Sequence, residues 1–319
     1  MGDPHGAPAL ARRLPVGALD PPRAATTAPP SGRADAARGP LVTAHDVHDA
    51  HEAHEVRVMT ANIRRDLGVW ALRPPDRWTV RRDRLRAQLR AFAPHVLGVQ
   101  EALPGQTRWV RESLGDRYGF VGHGRDADGG GEGCPVFFDR TRLELLGWQQ
   151  TALSDAPHRA GSRSWGNPFP RVAVTARFRI RGTGAEFRCV NTHLDPVSAR
   201  SRERSLAHLR DAITAEPGPA ILTGDFNTGP GSAALDALLA DGALRDAWLV
   251  ARERDSPEYA TYANYRAPRP GRRLDWIVAT DDVVVDRVRI VAEPVLGGWP
   301  SDHLPVLAEV RLPKGSDPV

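Results

Sequence analysis

Four short polar clusters along the chain combine carboxylate, amide and imidazole side chains. Three of them follow short apolar runs, where a strand would pass into a loop, and the fourth precedes the last apolar run. Strand ends are held rigidly by the scaffold while their side chains face open space, so they often serve function. The clusters are Thr60-Ala61-Asn62, Gln100-Glu101, Gly224-Asp225-Phe226-Asn227 and Ser301-Asp302-His303. Together they predict one site for metal-assisted hydrolysis.

Hydrolysis of a phosphate ester needs charge neutralisation on the phosphoryl oxygens, an oriented water and a path for the proton. A hard divalent cation provides the first and prefers oxygen ligands. Asn62 and Glu101 offer an amide oxygen and a carboxylate from neighbouring strand ends, and Asp302 offers a second carboxylate. All three side chains are therefore capable of binding a metal.

The remaining residues of the clusters suit proton transfer and phosphate binding. Asp225 and Asn227 are two apart in an extended segment and would point to the same face. The carboxylate could orient water while the amide donates to a phosphate oxygen. His303 has a side chain that titrates near neutrality. Asp275 is an acid inside an apolar strand, and its natural partner is a histidine whose tautomer it would fix.

The elements that must position these residues are short strands and amphipathic helices. Strands and helices alternate in the early part of the chain, whereas strands dominate the late part. This mixture predicts an α/β layered sandwich. Ser232 would be the N-cap of the last helix. The predicted strands are 56–63, 96–102, 135–138, 172–180, 187–194, 220–226, 274–279, 288–291 and 305–312, and the predicted helices are 76–93, 104–114, 198–215 and 232–240.

Composition separates the first 55 residues from the rest. Residues 1–40 contain eight prolines and five glycines without an apolar period, which predicts a disordered leader over 1–55. Residues 56–312 form the predicted domain and 313–319 a flexible tail. The formal net charge of +4 is too small to indicate a nucleic-acid partner. Two cysteines make no disulfide framework, and no apolar run is long enough to span a membrane. We expect a cytoplasmic monomer.

The order of the motifs resembles that of the endonuclease/exonuclease/phosphatase superfamily, which is similar to DNase I. The resemblance covers about residues 56–312. Within it, the segment Gly131–Glu144 resembles a bacterial branch of the superfamily. It implies a four-layer α/β sandwich, in which helices flank two packed mixed sheets, and a Mg²⁺- or Mn²⁺-dependent phosphoesterase. The matching segments begin with Asn62, Gln100-Glu101 and Asn191-Thr192-His193-Leu194, and continue with Gly224–Asn227, Arg273–Ile277 and Ser301–His303.

The resemblance also implies roles for single residues. Glu101 would be the chief metal ligand, with Asn62 and Asp302 near it. Asp225 would align or activate water and Asn227 would hold the phosphate, while His303, oriented by Asp275, would act as base or phosphate donor. His193 would stabilise the transition state from the opposite side, and Glu132 would orient His193.

The resemblance does not specify the substrate, which is a phosphate ester of a small molecule, a lipid headgroup or a nucleic acid. His193 stands where abasic endonucleases of the family usually have Tyr, which shifts weight away from DNA repair. A nuclease acting on DNA or RNA is one alternative, and a non-catalytic binding module is the other. Three tyrosines, Tyr259, Tyr262 and Tyr265, could stack a base or sugar or could pack their own loop.

Overall fold

The computed structural model describes residues 54–313. Apart from His54, Glu55 and Pro313, the predicted leader and tail lie outside these residues. So does most of the stretch 45–55, in which four histidines are each followed by an acid. Among the described residues no helix has the length and apolar character needed to cross a membrane. Both cysteines, Cys134 and Cys189, are buried free thiols.

The described chain forms strands and helices in mixed order. The strands are β1 (Glu55–Asn62), β2 (Val96–Gln100), β3 (Tyr118–Val121), β4 (Val136–Asp139), β5 (Leu143–Ala152), β6 (Val172–Ile180), β7 (Glu186–His193), β8 (Ala220–Asp225), β9 (Leu244–Asp246), β10 (Glu253–Arg254), β11 (Asp275–Thr280), β12 (Val284–Ile290) and β13 (Val306–Arg311). The α-helices are α1 (Trp78–Phe92), α2 (Pro104–Leu114), α3 (Ala199–Thr214), α4 (Ala233–Leu239) and α5 (Ala247–Val250).

The strands build two mixed sheets that pack face to face. The first has the order β10-β12-β13-β1-β2-β4-β3, and the second the order β5-β6-β7-β8-β11-β9. One apolar cluster, with Val58 and Cys189, fills the space between the sheets. A second joins α3 and α4 to the outer face of the second sheet, and a third joins α1 and α2 to the first. The predicted four-layer sandwich is confirmed.

All nine predicted strands and all four predicted helices are present, with ends that differ by a few residues. The bounds of β6 and α2 agree with the prediction, and the Ser232 hydroxyl accepts a hydrogen bond from the Leu235 N–H, as expected of an N-cap. The elements that were not predicted are β3, β5, β9, β10 and α5.

Strand periodicity directs the site residues into the space between the sheets. On β1, Val58 belongs to the cluster between the sheets, whereas Met59 belongs to the cluster under the helices. Side chains alternate along a strand, so Asn62 faces the same side as Val58. The same alternation relates Cys189 to His193 on β7. The site therefore continues the apolar interface at one edge of the sandwich.

A buried polar link joins the sheets directly beneath this edge. Gln100 Nε2 donates to Asn191 Oδ1 at 2.7 Å and to the Thr60 hydroxyl at 3.0 Å. Asn191 Nδ2 donates to the Val99 carbonyl at 2.9 Å. Gly98 makes this approach possible, since a Cβ atom there would lie 2.5 Å from Asn191 Oδ1. The link fixes the spacing of the two sheets where the site begins.

Candidate active site

Seven of the predicted site residues lie at one edge of the sandwich, five at strand ends and two in a loop. Asn62, His193 and Asp225 end β1, β7 and β8, and Glu101 directly follows β2. β11 runs antiparallel to β8, with Asp275 opposite Asp225, so its first residue reaches the same edge. Asp302 and His303 lie in the loop before β13, which is antiparallel to β1. All six strands therefore contribute side chains to one place.

His303 is held between two carboxylates. Its Nδ1 lies 2.8 Å from Asp275 Oδ2, and its Nε2 lies 3.7 Å from Asp225 Oδ2. Burial alone would lower the pKa of His303, but the charges of Asp275 and Asp225 outweigh it and raise the pKa to about 10. The imidazole is therefore charged at neutral pH, and its Nδ1–H donates to Asp275 Oδ2 while its Nε2–H faces Asp225.

His193 has the opposite electrostatic character on the other side of Asp225. Its Nε2 accepts a hydrogen bond from Asn227 Nδ2 at 3.0 Å and lies 3.6 Å from Asp225 Oδ2. Burial, reinforced by the charge of Arg171, lowers the pKa of His193 to about 4 despite Asp225. Burial and the Asp275 carboxylate raise the pKa of Asp225 itself. One carboxylate thus lies between a neutral and a charged imidazole.

Asn62 bridges two acids through its amide nitrogen. Nδ2 donates to Glu101 Oε1 at 3.1 Å and to Asp225 Oδ2 at 3.0 Å, while Oδ1 accepts the Arg64 N–H at 2.9 Å. The prediction that Asn62 ligates metal through its oxygen does not match these contacts, because the nitrogen faces the carboxylates. The contacts fit a residue that positions Glu101 and Asp225.

Glu101 is kept ionised by the groups around it. Burial would raise its pKa, but the His193 ring, the Arg65 N–H, the Arg64 charge and the Asn62 amide lower the pKa to about 2. The Arg65 N–H donates to Oε2 at 3.0 Å. Glu101 is therefore a fixed anion, as a ligand of a hard cation has to be.

Glu132 does not pair with His193, contrary to the sequence prediction. Its two carboxylate oxygens contact arginines instead, with Oε1 3.1 Å from Arg65 Nη1 and Oε2 2.7 Å from Arg125 Nη1. An arginine on each oxygen leaves the carboxylate fully engaged. Glu132 orients cleft arginines, and Asn227 is the hydrogen-bond partner of His193.

A cleft of about 520 Å³ opens over these residues. Phe169 and Tyr262, both about half exposed, line it together with six residues of the site. These six are Glu101, His193, Asp225, Asn227, Asp302 and His303. Of the three tyrosines considered from the sequence, only Tyr262 lines the cleft, with its ring 5.2 Å from the His303 ring. Tyr259 packs against the core and the Tyr265 hydroxyl donates to Asp76 at 3.3 Å.

Four arginines line the cleft without having been assigned to the site from the sequence. Arg64, Arg65 and Arg125 escaped notice because nearly every basic residue of the chain is arginine. Arg171 pairs with the buried Asp195 at 3.2 Å and forms part of the wall. Arg64 and Arg65 follow Asn62 after one intervening residue, Ile63, and that proximity was the available signal.

Two groups of side chains have the chemistry to hold a divalent cation. Asp225, Asp275 and His303 present ligand atoms within 4.8 Å of one another. In that group, however, Asp275 and His303 are hydrogen-bonded to each other. Glu101 Oε2 and Asp302 Oδ2 form the second group, since they lie 3.8 and 3.6 Å from nitrogens of one guanidinium, that of Arg64. These hard oxygen ligands already surround a positive charge, so the residues fit Mg²⁺ or Mn²⁺.

Arg81 supports the loop that follows Asn62. It is fully buried, and its guanidinium donates to the carbonyls of Ile63, Arg64 and Arg65. We expect Arg81→Leu to lower the free energy of unfolding by about 3 kcal/mol, because it strands buried carbonyls. Denaturant unfolding measures the change. Arg82→Leu, an exposed position on the same helix, is the matched control and should change stability by less than about 0.5 kcal/mol. Equal stabilities would contradict the role of Arg81.

Comparison with known proteins agrees with this geometry. The sequence pattern of the endonuclease/exonuclease/phosphatase family matches residues 59–303. The chain belongs to this family. Protein angel of Drosophila melanogaster is a relative with 29% identity over 175 residues, which are 51% of this chain and 47% of that protein. The chain thus spans about half the length of this relative.

Solved structures of the family share the fold over most of the described chain. An endonuclease/exonuclease/phosphatase from Bacteroides vulgatus is 30% identical, covers 81% of this chain and 99% of its own, and has a TM-score of 0.75. A mannosyl-6-phosphatase from Bacteroides thetaiotaomicron is 25% identical, covers 80% of this chain and 99% of its own, and also has a TM-score of 0.75. The resemblance seen in the motifs is confirmed, including its bacterial branch.

Proposed function

We propose that the chain is a hydrolase of phosphate esters that depends on Mg²⁺ or Mn²⁺. The observation that supports this most directly is the position of Asp225. Its Oδ2 lies within 3.7 Å of both imidazoles and 3.0 Å from the Asn62 amide. A carboxylate placed between a neutral and a charged imidazole at the floor of a cleft suits proton transfer at a phosphorus centre.

Asp225 and the His303–Asp275 pair divide the work of proton transfer. The raised pKa of Asp225 makes it a better proton acceptor than an ordinary aspartate, so it accepts the proton of the attacking water. His303, kept protonated by Asp275, donates a hydrogen bond to a phosphoryl oxygen as negative charge develops there. Asp275 also prevents the ring from rotating.

His193 and Asn227 bind the phosphoryl group from the other side. The Asn227 amide donates to the His193 ring and to the Leu194 carbonyl at 2.9 Å, and these contacts hold both side chains at the wall of the cleft. Neutral His193 can donate through its remaining N–H without repelling Arg171. Fixed donors of this kind favour the charged transition state over the substrate.

Glu101 and Asp302 would hold the cation, with Asn62 positioning Glu101. A bound Mg²⁺ or Mn²⁺ neutralises charge on the phosphoryl oxygens. We expect chelation with EDTA to lower turnover at least about 10²-fold, and Mg²⁺ or Mn²⁺ to restore it. Initial rates with and without chelator measure the effect. Full turnover by protein shown by elemental analysis to be free of metal would contradict the proposal.

The substrate is found by testing classes of phosphate ester in parallel. The panel contains sugar and inositol phosphates, sphingomyelin, RNA, and single-stranded and duplex DNA, each with Mg²⁺ and with Mn²⁺. A sugar phosphate comes first, because a 25% identical structure is a mannosyl-6-phosphatase. Nuclease activity would show itself by binding that falls steeply with salt. If no ester is hydrolysed and Glu101→Ala binds Mn²⁺ like wild type, the chain is a non-catalytic module.

A further inference from the structure

The side chain of Arg64 lies among three acids of the site. Nη1 is 3.8 Å from Glu101 Oε2, and Nε is 3.6 Å from Asp302 Oδ2 and 3.8 Å from Asp76 Oδ1. None of these separations is a hydrogen bond, and Nε is buried without a hydrogen-bond partner among the described residues. Arg64 therefore acts here as a charge that fills the space between carboxylates.

The backbone of Arg64 is locked in a costly conformation that directs the side chain to this place. Its φ of 54° lies in the left-handed region, which non-glycine residues rarely adopt. Asn62 Oδ1 accepts its N–H, and its carbonyl accepts hydrogen bonds from Arg81 and, at 3.0 Å, from Gln106 Nε2. Strain maintained by several contacts at a cleft points to a use for the side chain.

The side chain itself is less restricted than its backbone. It is 30% exposed, whereas the acids it contacts are 12% exposed or less. Arg64 also lines the cleft. The guanidinium can therefore leave the carboxylates and remain within the site, where its planar fork suits phosphate oxygens.

We propose that Arg64 is a built-in counter-ion of Glu101 and Asp302, which a divalent cation displaces toward the phosphate of the substrate. The proposal rests on the proposed function, because it requires the cation at these two acids. A guanidinium within 4 Å of both carboxylates and a divalent cation bound to them would repel each other strongly. Displacement resolves that repulsion and adds a phosphate donor when the metal is present.

Arg64→Gln provides the test, because the counter-ion model requires two changes of opposite sign. Mn²⁺ binding, measured by calorimetry without substrate, should tighten about tenfold since a competing positive charge is removed. Binding of inorganic phosphate at saturating Mn²⁺ should weaken about tenfold, because a charged donor is lost. If Arg64 were purely structural, its replacement would not tighten metal binding. Unchanged or weaker Mn²⁺ binding, or no Mn²⁺ binding by either protein, would overturn the proposal.

Two further variants complete the experiment. Arg65→Gln removes the neighbouring guanidinium, which contacts Glu132 and not the metal-binding acids. Because this charge is half exposed, its loss should change the Mn²⁺ affinity by less than about threefold. Arg64→Lys keeps the charge, and it serves if Arg64→Gln fails to fold. It should bind Mn²⁺ like wild type and phosphate more weakly, because it lacks the fork. Tighter Mn²⁺ binding by the lysine variant would overturn the proposal.

The outcomes separate this inference from the proposed function. A wild-type protein that hydrolyses phosphate esters, with Mn²⁺ affinity insensitive to Arg64→Gln, would refute the counter-ion and leave the function intact. Opposite changes in Mn²⁺ and phosphate binding in a protein that hydrolyses no ester would support the counter-ion and refute the function.

Discussion

His303→Ala should lower kcat at least about 10²-fold, the usual effect of removing a positioned acid or base. The ring lies between Asp275 and Asp225, with Nδ1 2.8 Å from Asp275 Oδ2 and Nε2 3.7 Å from Asp225 Oδ2. Its removal leaves two buried carboxylates without the positive charge between them, and no donor replaces it at the phosphoryl oxygen. Steady-state rates at saturating metal measure the loss, with the phosphate ester that the panel identifies.

Asp275→Asn is the companion variant, because it retains His303 but no longer keeps it protonated. We expect a smaller loss of kcat, and a double variant no slower than His303→Ala alone, since Asp275 acts through the ring. His208→Ala on α3, behind the second sheet, is the control and should leave kcat unchanged. Additive losses in the double variant would show that Asp275 has a separate role.

Four strand ends of the site were predictable because each follows a run of buried, mostly apolar residues. β1, β2, β7 and β8 are buried along nearly their whole length, and such runs are visible in a sequence. β5 was missed because it is the exposed edge of its sheet, where a residue such as Trp148 remains 46% exposed. Its mixed burial leaves no clear alternation to recognise.

The roles of particular polar atoms were not predictable. Asn62 was expected to present its oxygen to a metal, but the orientation of its amide depends on Glu101 and Asp225, which are 39 and 163 residues away. Glu132 is likewise paired by Arg65, 67 residues earlier. Arg81 supports the loop after Asn62 through backbone carbonyls, which have no sequence signature. Family order indicates which residues meet, whereas hydrogen-bond direction follows only from tertiary structure.

Asp225→Asn should separate activity from stability more sharply than any other substitution in the site. We expect kcat to fall about 10³-fold, because an amide cannot accept the proton of the attacking water. The fold should survive, since the shape is unchanged and the raised pKa of Asp225 shows that its charge is unfavourable in the buried site. Kinetics and thermal unfolding of the same preparation measure both effects.

Two opposing contributions set the stability of the Asp225→Asn variant. Neutralising the residue removes repulsion from Asp275, which stabilises the fold. The new asparagine amide, in contrast, destabilises the fold because its NH₂ group must face a hydrogen-bond donor. That donor is either Asn62 Nδ2, which now donates to Oδ2, or the Asn227 N–H, which now donates to Oδ1. Because these contributions are of similar size, the free energy of unfolding should change by less than about 1 kcal/mol. A variant that loses activity only in proportion to lost folded protein would show that Asp225 supports the scaffold. A stable, inactive variant would identify it as the residue that accepts the proton.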